Sequence, residues 1–299
     1  MEIKRKLIDY DIVDRLKAYN KAMEFKRQGL EIKEIFKKLQ AENLEVNLST
    51  LYDWLKFGRH PKNRLNIIMN FDGNFSYLVG LIIGDGCFYK VMEKGSYNRG
   101  RICFGSKDKE LAEKFSIIAS IVLDKKKPYH YRWAETSKVY FSEFCSKQFV
   151  EFLLQPFEKV EKVIEPYISD FLKGIFDAEG SISIRYQNNR VYPRIFLTNA
   201  NIKLINYIKT KLKEMDINST IQLNTPEGKE KKIFNKKTKT NKDVYNLCIE
   251  NIEGVRKFAE IINFSIEHKK RKLDQILNII EESGNKMEPM IWAQLKVSL

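Results

Sequence analysis

Two nine-residue segments constrain this chain more than anything else in it. Residues 78–86 read Leu78-Val79-Gly80-Leu81-Ile82-Ile83-Gly84-Asp85-Gly86, and residues 172–180 read Leu172-Lys173-Gly174-Ile175-Phe176-Asp177-Ala178-Glu179-Gly180. Each is a largely apolar helical stretch with small residues four apart, Gly80/Gly84 and Gly174/Ala178, then an acid and a glycine. Residues at i and i+4 share one helical face, and small side chains there let two helix backbones approach closely. The pattern predicts two helices in contact along a small-residue seam, each ended by a glycine in the left-handed conformation. Asp85 and Glu179 would then lie side by side at paired helix C-termini. The negative end of the helix dipole and a like-charged neighbour both oppose ionisation there, and a bound divalent cation would offset both. One copy alone reads as an ordinary helix end; two copies 94 residues apart, each opening a similar downstream pattern, favour a shared function.

These segments resemble the LAGLIDADG family of homing endonucleases, in its monomeric, two-motif, archaeal intron-encoded form. Six of nine consensus positions match in the first copy and five in the second, where Glu179 replaces the consensus aspartate. The resemblance implies a site-specific double-strand DNA endonuclease that hydrolyses phosphodiester bonds with Mg²⁺, for which Mn²⁺ could substitute. It also implies that Asp85 and Glu179 are catalytic metal ligands, with Gly84 and Ala178 in the same metal site. The family places a basic or polar residue after the second strand of each unit to order the attacking water. Phe104–Leu111 aligns with Leu197–Leu204, which gives this role to Lys107, 22 residues beyond Asp85, and leaves Ala200 at the matching place in the second unit. Ser106 and Asn199 are secondary candidates beside it. Close archaeal members often carry a lysine three residues after the second acid, where this chain has Ile182.

Composition agrees with a nucleic-acid partner. The 299 residues carry 53 Lys+Arg against 39 Asp+Glu, a formal charge of +14, which favours an anionic partner, with nucleic acid before membrane. No apolar run reaches membrane-spanning length and the N-terminus lacks a signal-peptide core, so an intracellular, cytoplasmic protein without a membrane partner is expected. Cys87, Cys103, Cys145 and Cys248 lack any C-x-x-C spacing and read as reduced core thiols. His60, His130 and His268 are isolated, which gives no support to a zinc centre.

Organisation along the chain predicts an α+β protein. Residues 1–66 read as an all-α helix-turn-helix domain: apolar positions from Ile12 to Met23, a second helix through Ile32, Ile35, Phe36 and Leu39, and a third through Leu48, Leu51, Tyr52 and Leu55, N-capped by Asn47. Its third helix would present Ser49, Thr50, Asp53 and Lys56 to a DNA major groove, followed by a basic exit at Arg59, His60, Lys62 and Arg64. A plain three-helix bundle needs the same apolar spacing. Residues 61–71 read as a linker. From Tyr77 the order helix-strand-strand-helix-strand-strand-helix occurs twice, defining units at 72–165 and 166–283, then a tail at 284–299. The resemblance implies two pseudo-twofold-related αββαββα units with paired motif helices and sheets that saddle DNA.

Polar positions on the expected strands are arginine-rich: Arg99 and Arg101 in the first unit, and Ser183, Arg185, Arg190, Tyr192 and Arg194 in the second. A half-buried sheet produces such alternation in any case, but arginine is suited to guanine and phosphate. Residues 225–242 hold seven lysines and two glutamates, read as a basic loop in which Lys231, Lys232, Lys236 and Lys237 contact phosphate. The run His268–Leu273 resembles a basic stretch near the end of the second unit in the family, with Lys270 as a further candidate. The alternative is a non-cleaving DNA- or RNA-binding protein on the same scaffold, an intron maturase or a transcription regulator.

Overall fold

The computed structural model describes residues 10–44, 46–58, 61, 70–93, 96–187, 190–233 and 236–283. The basic exit beyond Lys56, most of the 61–71 linker and the 284–299 tail lie outside the described residues.

Among the described residues three helices come first: α1 (Tyr10–Arg27), α2 (Ile32–Ala41) and α3 (Leu48–Leu55). Gly29 adopts φ +83 in the turn between the first two, a conformation that side chains disfavour. The helices bury their own core of Ala18, Ala22, Phe25, Ile35, Leu39, Leu51, Trp54 and Leu55, with Tyr19 edge-on to Trp54 at 5.5 Å. Ser49 and Lys56 are exposed and Thr50 is half-buried. Asn47 occupies the N-cap of α3 as expected, but its side chain makes no capping hydrogen bond.

The remainder is built twice. The first unit contains α4 (Gly73–Asp85), β1 (Gly86–Glu93), β2 (Ser96–Ser106), α5 (Lys109–Val122), β3 (Tyr131–Ala134), β4 (Val139–Cys145), α6 (Lys147–Leu153) and α7 (Phe157–Ile164). The second contains α8 (Ile168–Glu179), β5 (Gly180–Gln187), β6 (Arg190–Asn199), α9 (Ile202–Glu214), β7 (Thr220–Thr225), β8 (Glu230–Ile233), β9 (Lys236–Lys239), β10 (Val244–Ile249), α10 (Ile252–Ile261) and α11 (Glu267–Ser283). Both main sheets are antiparallel with equivalent strand orders, β1-β2-β4-β3 and β5-β6-β10-β7. The lysine-rich segment, expected as a loop, is a separate two-stranded hairpin in which Lys231 pairs with Thr238 and Lys232 with Lys237.

Local chemistry fixes the helix starts. Asp72, Asp108, Ser146, Asn201 and Asn251 each accept backbone N–H bonds at an N-terminus, which satisfies donors that have no partner within the helix. One sheet face carries Ile102 and Phe104, or Ile195 and Leu197, into the core. Phe104 stacks on Phe115 of α5 at 4.6 Å between ring centroids. Burying each such aromatic stabilises the fold by about 1.5–3 kcal/mol. One continuous core runs through both units, so neither unit has an apolar interior of its own.

Candidate functional site

The seam between α4 and α8 is backbone against backbone. A Cβ added at Gly80 would lie 2.3 Å from the Phe171 carbonyl oxygen, and one at Gly174 would lie 2.2 Å from that of Tyr77. At the next turn, a Cβ on Gly84 would meet the Ala178 methyl at 2.6 Å. The small-residue pattern is therefore a steric requirement. The terminal glycines act differently from the expectation: Gly86 (φ −91, ψ 166) and Gly180 (φ −79, ψ 148) are extended, not left-handed. They are needed for room, since a Cβ on Gly86 would sit 2.7 Å from the Ile82 carbonyl oxygen and one on Gly180 would sit 2.3 Å from that of Phe176. Each helix thus passes directly into a strand, and Asp85 and Glu179 are the last helical residues.

Both carboxyls titrate high. Burial pushes Asp85 up to about 6, with Lys269 pulling the other way, although the residue as a whole is exposed. Burial, then the charge of Asp85, pushes Glu179 up to about 7, opposed by Asn199 and Lys269. Asn199 Nδ2 donates to Glu179 Oε1 at 3.3 Å, which brings this sequence candidate into the site. Its counterpart Ser106 accepts the Asp108 N–H at 3.1 Å, as the Asn199 side chain accepts that of Asn201 at 2.8 Å. Lys107 lies exposed in the turn between β2 and α5.

The basic run reaches the motif end through Lys269, which is not among the candidates read from the sequence. Lys270 is exposed, whereas Lys269 turns inward. Its Nζ donates to the carbonyl oxygens of Asp177 (2.6 Å), Gly180 (2.8 Å) and Phe176 (3.4 Å), capping the end of α8 with a cation where the helix dipole is negative. Beside it Asp177 is fully buried and accepts from Tyr77 Oη at 2.7 Å, from the Ser265 N–H at 3.0 Å and from the Ser265 hydroxyl. Burial raises its pKa against these hydrogen bonds. Lys114 Nζ donates to the Ser265 carbonyl at 3.1 Å, and the Glu110 carboxylate accepts the Glu267 N–H at 2.8 Å. The start of α11 is thereby fastened across to the first unit. The sequence signal for Lys269 is its place in the basic run; nothing local distinguishes it from Lys270.

The open face of each sheet carries the expected arginines. Arg99, Arg185 and Arg190 are exposed, and Arg101, Ser183, Tyr192 and Arg194 are partly buried. Strand alternation puts all four cysteines on these open faces: Cys87 pairs across from Cys103, Cys145 from Arg101, and Cys248 from Phe196. They are free thiols, but only Cys103 and Cys248 are buried, which corrects the expectation of four core residues.

A family model described as a LAGLIDADG-like domain matches residues 166–263. An uncharacterized protein of Methanocaldococcus jannaschii is 30% identical over 274 residues, spanning 89% of this chain and 95% of that protein. Among solved structures, I-DmoI in complex with DNA and Mn is 22% identical and covers 64% of this chain and 97% of its own, with a TM-score of 0.48. The N-terminal LAGLIDADG domain of WhiA is 17% identical and covers 70% of this chain and 89% of its own, with a TM-score of 0.42. On the matched domain, the full-length relative and the two motif helices, this chain belongs to the LAGLIDADG family.

Proposed function

We propose that this chain is a divalent-metal-dependent endonuclease that cuts both strands of DNA at a specific site. The observation that carries this reading is the meeting of Asp85 and Glu179, both with raised pKa, at the C-termini of two helices in backbone contact. A fold gains nothing from two carboxylates whose ionisation burial opposes. Two hard oxygen donors with the Asn199 amide beside them fit Mg²⁺, or Mn²⁺ in its place. Asp85 and Glu179 would hold the ion next to the Gly84 and Ala178 backbone. When bound, such an ion supplies charge neutralisation at phosphate oxygens and orientation of water.

The chain's own groups do the rest. Lys269 fixes the end of α8 and so aims Glu179; Asn199 orients that carboxylate; Lys107 serves the water site of the first unit. The two open sheet faces bind the duplex through Arg99, Arg101, Ser183, Arg185, Arg190, Tyr192 and Arg194. The β8–β9 hairpin adds phosphate contacts through Lys231, Lys232, Lys236 and Lys237. The helices of residues 1–66 form a helix-turn-helix that lengthens the site through Ser49, Thr50 and Lys56, and the protein works as a monomer, since it carries both motifs. Among the described residues no helix is long and apolar enough to cross a membrane. The test is incubation of the full chain with candidate insertion-site DNA, with Mg²⁺, with Mn²⁺ and with chelator. Metal-dependent double-strand ends support the reading, and intact DNA under saturating binding overturns it.

Two observations favour a second reading, a binding protein that does not cleave. Lys269 already places a cation near both acids, and Ala200 leaves the second unit without the match to Lys107. Tight, metal-independent DNA or RNA binding without cleavage would select it.

A further inference from the structure

The second half fills a space that the first half leaves open. Between the motif end of α4, the turn from α6 to α7 and the start of α9 lies a cleft of about 400 Å³, a size suited to a small ligand. Its walls have counterparts in the other half. Ile82, Ile83 and Gly86 correspond to Phe176, Asp177 and Gly180, 94 residues on, the residues whose carbonyl oxygens receive Lys269. Asn201 and Lys203, at the start of α9, correspond to Asp108 and Glu110, which meet His268 and the Glu267 N–H. The cleft is therefore the counterpart of the seat that holds the start of α11.

Two side chains account for the difference. Phe149, Leu153 and Ile164 are buried, as are Phe258, Ile262 and Leu273, each 109 residues further on. That register puts Gln155 in the place of Phe264 and Val160 in the place of Lys269, and both line the cleft. In the second half the Phe264 ring is buried and the Lys269 ammonium lies 5.7 Å from its centroid; the first half has neither this ring nor this cation. Among the described residues no side chain donates to the carbonyls of Ile82, Ile83 or Gly86, at the negative end of the α4 dipole. The rim carries one charge of each sign, Glu158 and Lys203, both exposed, so it does not oppose a cation further in. We propose that this cleft binds a small arylalkylamine, whose ammonium takes the place of Lys269 Nζ at the end of α4 and whose ring takes the place of Phe264. A short alkyl chain spans the same separation of ring and ammonium. Burial of the ring supplies affinity, and charged hydrogen bonds select an amine over a neutral analogue. Occupancy fastens the end of α4 as Lys269 fastens that of α8, and it requires neither DNA nor metal, so the site stands apart from the proposed cleavage.

The experiment is calorimetric titration of the full chain, free of DNA and metal, with phenethylamine, with the neutral phenethyl alcohol and with methylammonium, which has no ring. Phenethylamine should bind at a single site per chain, and each of the other two should bind roughly tenfold more weakly or worse, the loss expected for a missing charged hydrogen bond or a missing buried ring. Val160→Lys supplies the cation from the chain itself, and Gln155→Phe, at a half-buried position, supplies the ring. Each should weaken phenethylamine by roughly tenfold or more, and Gln155→Phe keeps the test decisive if a buried lysine prevents folding. Three results would each overturn the proposal: a wild-type chain that does not bind phenethylamine, equal binding of amine and alcohol, or undiminished phenethylamine binding by the folded Gln155→Phe chain.

Discussion

The two motif ends are built on the same helix pair yet are finished differently. At Glu179 the helix end is capped by Lys269, the carboxylate is met by Asn199, and the preceding turn carries the buried Asp177 network. At Asp85 the motif has Ile83 in place of Asp177, and burial is the chief influence on the carboxyl, with Lys269 opposing it. The first half instead offers Lys107 where the second has Ala200. A duplicated scaffold can thus divide its equipment: one half holds its acid more firmly, and the other carries the lysine proposed for the water site.

The strongest way to break this comparison is to remove either acid. Asp85→Asn and Glu179→Gln keep shape but remove charge, and each should lower double-strand cleavage by roughly 10²–10³ or more, the scale set by deleting one group that stabilises developing charge. DNA affinity should persist or improve. Full cleavage by either variant under Mg²⁺ would remove that carboxylate from the site.

Next in size, Lys107→Ala should slow one strand by roughly tenfold to a hundredfold, within or just below the range for positioned proton-transfer groups, and should accumulate nicked duplex. Ala200→Lys should speed the opposite strand. End-labelling each strand reads the outcome, and equal slowing of both strands would mean that the halves share one chemical network.

The lysine hairpin belongs to the second half alone, because the matching connection between β3 and β4 spans only residues 135–138. Replacing Lys231, Lys232, Lys236 and Lys237 by glutamine should flatten the slope of log affinity against log salt by roughly two to four, at about 0.9 for each phosphate no longer neutralised. Base preference should stay put. An unchanged slope would leave DNA binding to the sheets.

The smallest effect concerns pH. Asp85 and Glu179 titrate near 6 and 7 in the fold against 3.8 and 4.5 for the free groups. Between those values the metal-free folded chain holds protons that the unfolded chain has released, so their contribution to stability is present at low pH and is lost as pH rises through 6 and 7. Metal binding, which competes with those protons, should therefore raise the thermal midpoint more at pH 8 than at pH 5. A metal effect independent of pH would show that these acids are not its ligands.

Much of this molecule is legible in its sequence because it is periodic. The seam, the paired acids and the repeated order all follow from spacing along one helix or strand, and Asn199 stands out because it aligns with Ser106. What spacing does not carry depends on meetings between distant residues. Ser265 reaches Asp177 from 88 residues away, and the choice of Lys269 over Lys270 depends on which of the two side chains meets the carbonyls at the end of α8. All four thiols take the open side of the pleat yet only two are buried, so their burial depends on the side chains that cover them, and the absence of a C-x-x-C spacing says nothing about it. At Gly86 and Gly180 a glycine is required, as the motif suggests, but for a different reason: crowding by the preceding turn, not a left-handed backbone, excludes a side chain.

The contact of α4 with α8 also works as a gauge. Where helices meet through long side chains, repacking can shift them by fractions of an ångström without breaking anything. Here carbonyl oxygens stop the approach directly, and no rotamer can change the gap. The setting of Asp85 relative to Glu179 is thereby held by the polypeptide itself, and even a single added methyl at Gly80 or Gly174 would act as a shim, moving two whole sheets with it.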